Sequence, residues 1–108
     1  MSLRVEYHDL VYLDLLDAWS WYEDREHGLG DRFLDVVRAT VERASEWPNA
    51  GTPTLRDDND EVVERKVGTR DFPYAVRYRV IGARFVVMAV SHQHRHPTHA
   101  IDREPPPA

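Results

Sequence analysis

The stretch from Trp19 to Pro53 constrains this chain more than any other. It reads as the end of one helix, a hinge at His27-Gly28-Leu29-Gly30, a second helix, and a stop at Glu46-Trp47-Pro48. Two glycines this close relax the backbone where a helix must end and the chain turn back. Asp31 follows as an N-terminal acid that favours a new helix. Pro48 cannot continue that helix and biases Trp47 away from helical geometry. The expected product is an antiparallel helical hairpin with aromatic residues near both ends.

Helical periodicity extends on either side of the hinge. Asp9 is the expected N-cap of a first helix from Leu10 to about Arg25. Val11, Leu15, Ala18 and Tyr22 form its apolar stripe, broadened by Tyr12, Leu16 and Trp19, with Asp14, Asp17 and Asp24 opposite. The second helix runs from about Asp31 to Glu46, with Phe33, Val37, Val41 and Ala44 on one side. Residues 3–7 alternate with period two, which predicts a strand. Pro48 to Asp60 is rich in turn formers and reads as a loop. Its acidic cluster lacks the glycine and the distant glutamate of a calcium loop.

Three further strands are expected. Glu61 to Val67 alternates. Pro73 to Ile81 places Tyr74, Val76, Tyr78 and Val80 on one face and Arg77 and Arg79 on the other. Arg84 to Ser91 is almost continuously apolar, as in a strand covered on both faces. The order strand, helix, helix, strand, strand, strand predicts an α+β fold, with the hairpin on one face of a small, mostly antiparallel sheet. Residues 1–97 are read as one domain. Residues 98–108, ending in a proline run, are read as a frayed polyproline-like tail.

Composition bounds the chemistry. The 108 residues include no cysteine, so thiol catalysis, disulfides and cysteine-ligated zinc are excluded. No apolar run approaches the roughly 18 residues of a membrane span. The opening residues lack the pattern of a signal peptide, and the cytoplasm is the expected compartment. The net charge of −5 is unevenly spread. Residues 1–60 carry 6 Lys and Arg against 14 Asp and Glu, whereas residues 61–108 carry 8 against 5. Four of the six histidines, at 92, 94, 96 and 99, lie in the basic part. Alternating histidines suit a metal, but exposed tail histidines are commoner, and neither metal nor cofactor is assigned.

Six segments stand in order along the chain: Trp21-Tyr22-Glu23, Gly28-Leu29-Gly30-Asp31-Arg32-Phe33, Glu46-Trp47-Pro48, Phe72-Pro73-Tyr74-Ala75-Val76, Tyr78-Arg79-Val80 and Ala89-Val90-Ser91-His92-Gln93. Taken together, they resemble the ParE/RelE superfamily of type II toxins, often labelled plasmid stabilisation proteins. The resemblance spans about residues 4–97 and implies the same β-α-α-β-β-β layout. It also implies a toxin held inactive by a cognate antitoxin. RelE-like members cut mRNA on the ribosome, whereas ParE-like members act on DNA gyrase.

The residues distinguish the branches in part. Cleavage through a 2′-hydroxyl needs an acid, a base and cations around the phosphate. His92, His94, Arg95, Arg77 and Arg79 are the candidate catalytic set under that reading. Against it, the arginine expected before the penultimate-strand Leu-Val-Tyr of RelE-like enzymes falls on Ala75. The acidic net charge is also unusual for a ribosomal RNA binder. The Tyr22-Glu23 and Phe72-Pro73-Tyr74-Ala75 segments are closer to ParE-like members. The favoured expectation is a gyrase-binding inhibitor, with a ribonuclease or a diverged antitoxin-binding module as alternatives. Trp19, Tyr22, Trp47, Arg65 and Lys66 are the candidate partner-binding residues. Oligomeric state is left open.

Overall fold

A computed structural model describes residues 3–94 and 99–107. Strand β1 (Arg4–Tyr7) leads into helices α1 (Val11–Arg25) and α2 (Leu29–Glu46). A 3-10 turn (Pro48–Ala50) follows, then β2 (Thr52–Arg56), β3 (Val62–Gly68), β4 (Tyr74–Ile81) and β5 (Arg84–His92). The sheet order is β1-β5-β4-β3-β2. β1 runs parallel to β5, and every other pairing is antiparallel. The helical hairpin covers one face, as the periodicity predicts.

The hinge is held from both helices. Gly28 adopts φ +89°, a conformation that disfavours side chains, and α2 begins at Leu29, two residues before the predicted Asp31. The Glu23 carboxylate of α1 accepts the N–H groups of Gly28 and Gly30 at 2.9 and 3.0 Å. An acid from one helix thus sits on the electropositive start of the next. Trp19 Nε1 donates to Asp31 at 2.9 Å. A Cβ at Gly30 would lie 2.7 Å from Trp19 Cδ1 and 2.8 Å from the Trp19 carbonyl, so only glycine allows this crossing.

Val11, Ala18 and Tyr22 from α1 meet Phe33, Val37, Val41 and Ala44 from α2 over Val76, Tyr78, Phe85, Val87 and Val90 of the sheet. Tyr22, Phe33, Phe72 and Tyr74 pack with centroids 4.9–6.1 Å apart. The predicted stripes are this core, with exceptions. Tyr12 and Leu16 are exposed rather than part of the α1 stripe, and Val80 is exposed near the end of β4.

Other local expectations are corrected. Asp9 does not cap α1. The flanking residue is Leu10, whose N–H donates to His8 Nδ1 at 3.1 Å. The predicted 48–60 loop contains β2, which the proline masked. Pro53 is tolerated because β2 is an edge strand, where a missing N–H costs no ladder bond on the open side. The described part of the tail is not frayed. Residues 99–107 lie on the sheet face opposite the helices, and Arg103 reaches Asp14. Asp14, expected on the solvent side of α1, is only 10% exposed.

β5 carries one extra residue. Arg77 opposes Ala89, but Tyr78 opposes Val87, so Met88 forms a bulge. Phe85 and Val87 face the helices, and beyond the bulge Val90 does so. Every residue from Arg84 to Ser91 is buried, as the apolar run implies.

Candidate functional site: the cleft at the end of the sheet

The register decides which side chains share a face. Tyr74 pairs with His92 and Val76 with Val90, which places His92 on the helix-facing side. Its ring meets Tyr74 edge-on at 5.4 Å. Ala75 pairs with Ser91, Arg77 with Ala89 and Lys66 with Arg77, all on the opposite face. The two faces converge where the strands end. There Lys66, Arg77, Ser91, His92 and His94 line an open cleft of about 810 Å³, walled by residues 50–54.

Among the described residues, no aspartate or glutamate lines this cleft, although the chain has 19 such residues. The cleft is therefore a locally cationic site on an acidic protein. The His92 and His94 rings lie 5.1 Å apart, and the His94 N–H donates to His92 Nδ1 at 3.1 Å. That bond makes Nδ1 the acceptor and puts the proton of neutral His92 on Nε2. Ser91 Oγ is buried and, among the described residues, has no hydrogen-bond partner. Such an atom is costly to leave unpaired and offers a donor to an incoming group.

The candidate residues are only partly gathered here. Arg79 lies outside the lining. It donates to Glu64 at 3.2 Å, and that carboxylate also accepts the Thr54 hydroxyl at 3.0 Å. Arg77 is 8% exposed and donates to the His99 carbonyl, so the outward, solvated arginine expected from alternation is covered. Arg95 and His96 lie outside the described residues. Among the described residues, no group of three acids or histidines is placed to hold a metal ion.

The partner candidates are spread over the molecule. Tyr22 is in the core, and Trp19 is half-buried at the hinge. Trp47 is 68% exposed beside an apolar groove of about 210 Å³ between α2 and β3. Lys66 is exposed on the cleft wall, while Arg65 points to the helix side and donates to Gly51 at 2.8 Å. Tyr78 closes the helix exit. Its hydroxyl donates to Pro48 at 2.7 Å and accepts from Gly51 at 3.2 Å. Burial pushes this phenol above its ordinary range, with the Gly51 bond opposing.

Sequence reasoning missed Ser91, Glu64, Asp14, Arg84 and Arg103. For Glu64 a signal existed, since it shares parity with Lys66 and lies across from the arginines of β4. For Arg103 no local pattern points to an aspartate 89 positions away.

A profile described as "ParE toxin of type II toxin-antitoxin system, parDE" matches residues 5–97. The chain belongs to the ParE toxin family. Two relatives, each named Toxin ParE2, come from Mycobacterium tuberculosis strains CDC 1551 / Oshkosh and ATCC 25618 / H37Rv. Each is 30% identical over 105 residues, covering 96% of this chain and 93% of the relative. A structure titled "Chromosomal ParDE TA system from P. aeruginosa" superposes with a TM-score of 0.71 at 11% identity. The match covers 84% of this chain and 96% of that one. At that identity it bears on the fold alone, and the ParE-like fold agrees with the layout described above. Among the described residues, no helix of this ParE-family chain is long and apolar enough to cross a membrane.

Proposed function

We propose that this ParE-family toxin arrests growth in the cytoplasm by binding DNA gyrase, and that a cognate antitoxin neutralises it. The observation that carries the reading is the family match over residues 5–97, together with relatives named Toxin ParE2. The disposition of the candidate catalytic groups supports it. Arg79 is committed to the buried Glu64, and the His92 ring lies against Tyr74 on the helix-facing side. An acid–base pair for RNA cleavage would need imidazoles and cations converging on one phosphate.

The antitoxin is expected to engage exposed apolar surface. Leu13 and Leu16 of α1 and Trp47 beyond α2 are such surface.

A second reading, a ribosome-dependent ribonuclease, is favoured by the acid-free cleft holding Lys66, Arg77, Ser91 and the two imidazoles. One experiment separates the two. The protein is induced without antitoxin in a bacterial host, and labelled thymidine and methionine incorporation are followed in parallel. Early loss of thymidine incorporation with continuing translation is the expected result. Purified protein is then expected to inhibit gyrase supercoiling, and His92→Ala with His94→Ala to leave that inhibition within a few-fold. Early loss of translation, abolished by the same substitutions, would replace the gyrase reading with the ribonuclease one.

A further inference from the structure

We propose that the outer face of the sheet is a second interaction surface, shaped for a short peptide that enters through a turn and carries a guanidinium, and that residues 99–107 are its resident occupant. The inference is independent of the toxin's target.

The floor of this surface is apolar. Val86, Met88 and Ala89 are 0–1% exposed, yet they stand outside the core cluster shared with the helices. Residues 99–107 lie over them. Recognition of this segment is largely through its main chain. Arg77 donates to the carbonyl of His99 and Arg84 to that of Pro106, and Arg79 lies 3.5 Å from the carbonyl of Ile101. Residues 99–102 form a turn, closed by the Arg103 N–H donating to the Ala100 carbonyl at 3.2 Å, and the carbonyl contacts hold this backbone with little regard to its side chains.

One side chain is read specifically. The Arg103 guanidinium donates to both oxygens of Asp14 at 2.8 and 3.0 Å and to the Met88 carbonyl at 2.9 Å. The same Asp14 carboxylate accepts the Val90 N–H at 3.0 Å. The slot has a structural origin. β1 pairs with β5 only as far as Val87, and the bulge at Met88 turns the next main-chain groups of β5 towards the open edge. Asp14 takes one of those groups and Arg103 the other. The planar, multiply donating guanidinium satisfies a carboxylate and a carbonyl together, which an ammonium does less well. Both side chains are about nine-tenths buried, at 11% and 10% exposure.

A partner in trans must therefore present a segment that makes the same turn, with an arginine at the matching place. It competes with a tethered segment whose effective concentration is in the millimolar range. The resident tail thus masks the surface unless its own arginine is weakened.

The test uses the full chain and a fluorescein-labelled nonapeptide with the sequence of residues 99–107. By fluorescence anisotropy, Arg103→Ala is expected to bind this peptide at least tenfold more tightly than the unmodified protein. A peptide with alanine replacing its arginine is expected to bind neither. Folded Arg103→Ala that binds no better than the unmodified protein would overturn the proposal, as would equal binding of the arginine-free peptide. Should Arg103→Ala not fold, hydrogen–deuterium exchange of the unmodified protein decides. Faster exchange over residues 99–107 in millimolar peptide, and not in the arginine-free peptide, supports displacement. Unchanged exchange overturns it.

Discussion

The two faces of the sheet are covered by different means. On the helix side, Phe33 and Val76 are 0% exposed within an interlocked aromatic and aliphatic core. On the outer side, burial is equally complete at Val86 and Ala89, but the cover is a short segment, beginning in a turn, held by arginines. One face is closed by area removed from water, which is non-directional and cooperative. The other is closed by a few charge-assisted contacts whose value depends on geometry. A face of the first kind opens only when the molecule unfolds. One of the second kind can open alone.

The largest expected effect lies on the helix side. Phe33→Ala should lose about 3–5 kcal/mol in urea denaturation, because the ring is fully enclosed and its neighbours cannot collapse into the gap. A loss under about 1 kcal/mol would mean that this face is less tightly packed than its burial implies.

On the outer side, Asp14→Ala should cost roughly 3 kcal/mol, by stranding a buried guanidinium and the Val90 N–H. Replacing both partners, as Asp14→Leu with Arg103→Met, should recover most of that loss, since the pair contributes less than either unpaired member costs. A double mutant as unstable as the single would place Asp14's importance in the strand edge instead.

Gly30→Ala tests the hairpin itself. The added methyl meets the Trp19 backbone, so the helices must separate slightly, at a cost of about 1–3 kcal/mol. The smallest effect concerns pH. The Arg84 guanidinium beside Glu6 holds its carboxyl below the usual value of 4.5. A depressed folded-state pKa contributes stability that is present above pH 4.5 and lost as the pH falls through the lower folded value. Amide protection factors on the outer face, measured against the intrinsic exchange rate at each pH, should therefore fall on acidification below about that point, and Glu6→Gln should flatten this dependence.

Most of the helix side was legible in the sequence. The i, i+4 spacing of Phe33, Val37 and Val41 and the Tyr74–Val76–Tyr78 alternation are local patterns that burial alone enforces. The continuous run of β5 also announced a strand covered twice, though not by what. The outer side was hidden because its determinants are distant in sequence. Arg103 in a proline-bounded tail carries no period, and Asp14 looks like any solvated helix acid until β5's open edge is brought beside it. β2 was lost to Pro53, which is disallowed within a sheet but not at its rim. At the cleft, His92 and His94 were legible as a pair. Ser91 was not, because a lone serine in an apolar strand has no sequence signature. Alternation placed Arg77 and Arg79 on one face correctly, but it could not foresee that Glu64 would draw Arg79 away.

The bulge at Met88 bears on how relatives are lined up. A strand without the extra residue carries its side chains out of phase with this one from that position onward. Matching such a strand letter by letter would set a residue facing the helices against one facing the outer segment. The histidine that ends β5 is the position most exposed to this error. In distant relatives its counterpart is better found through the ladder partner of Tyr74 than by counting along the chain.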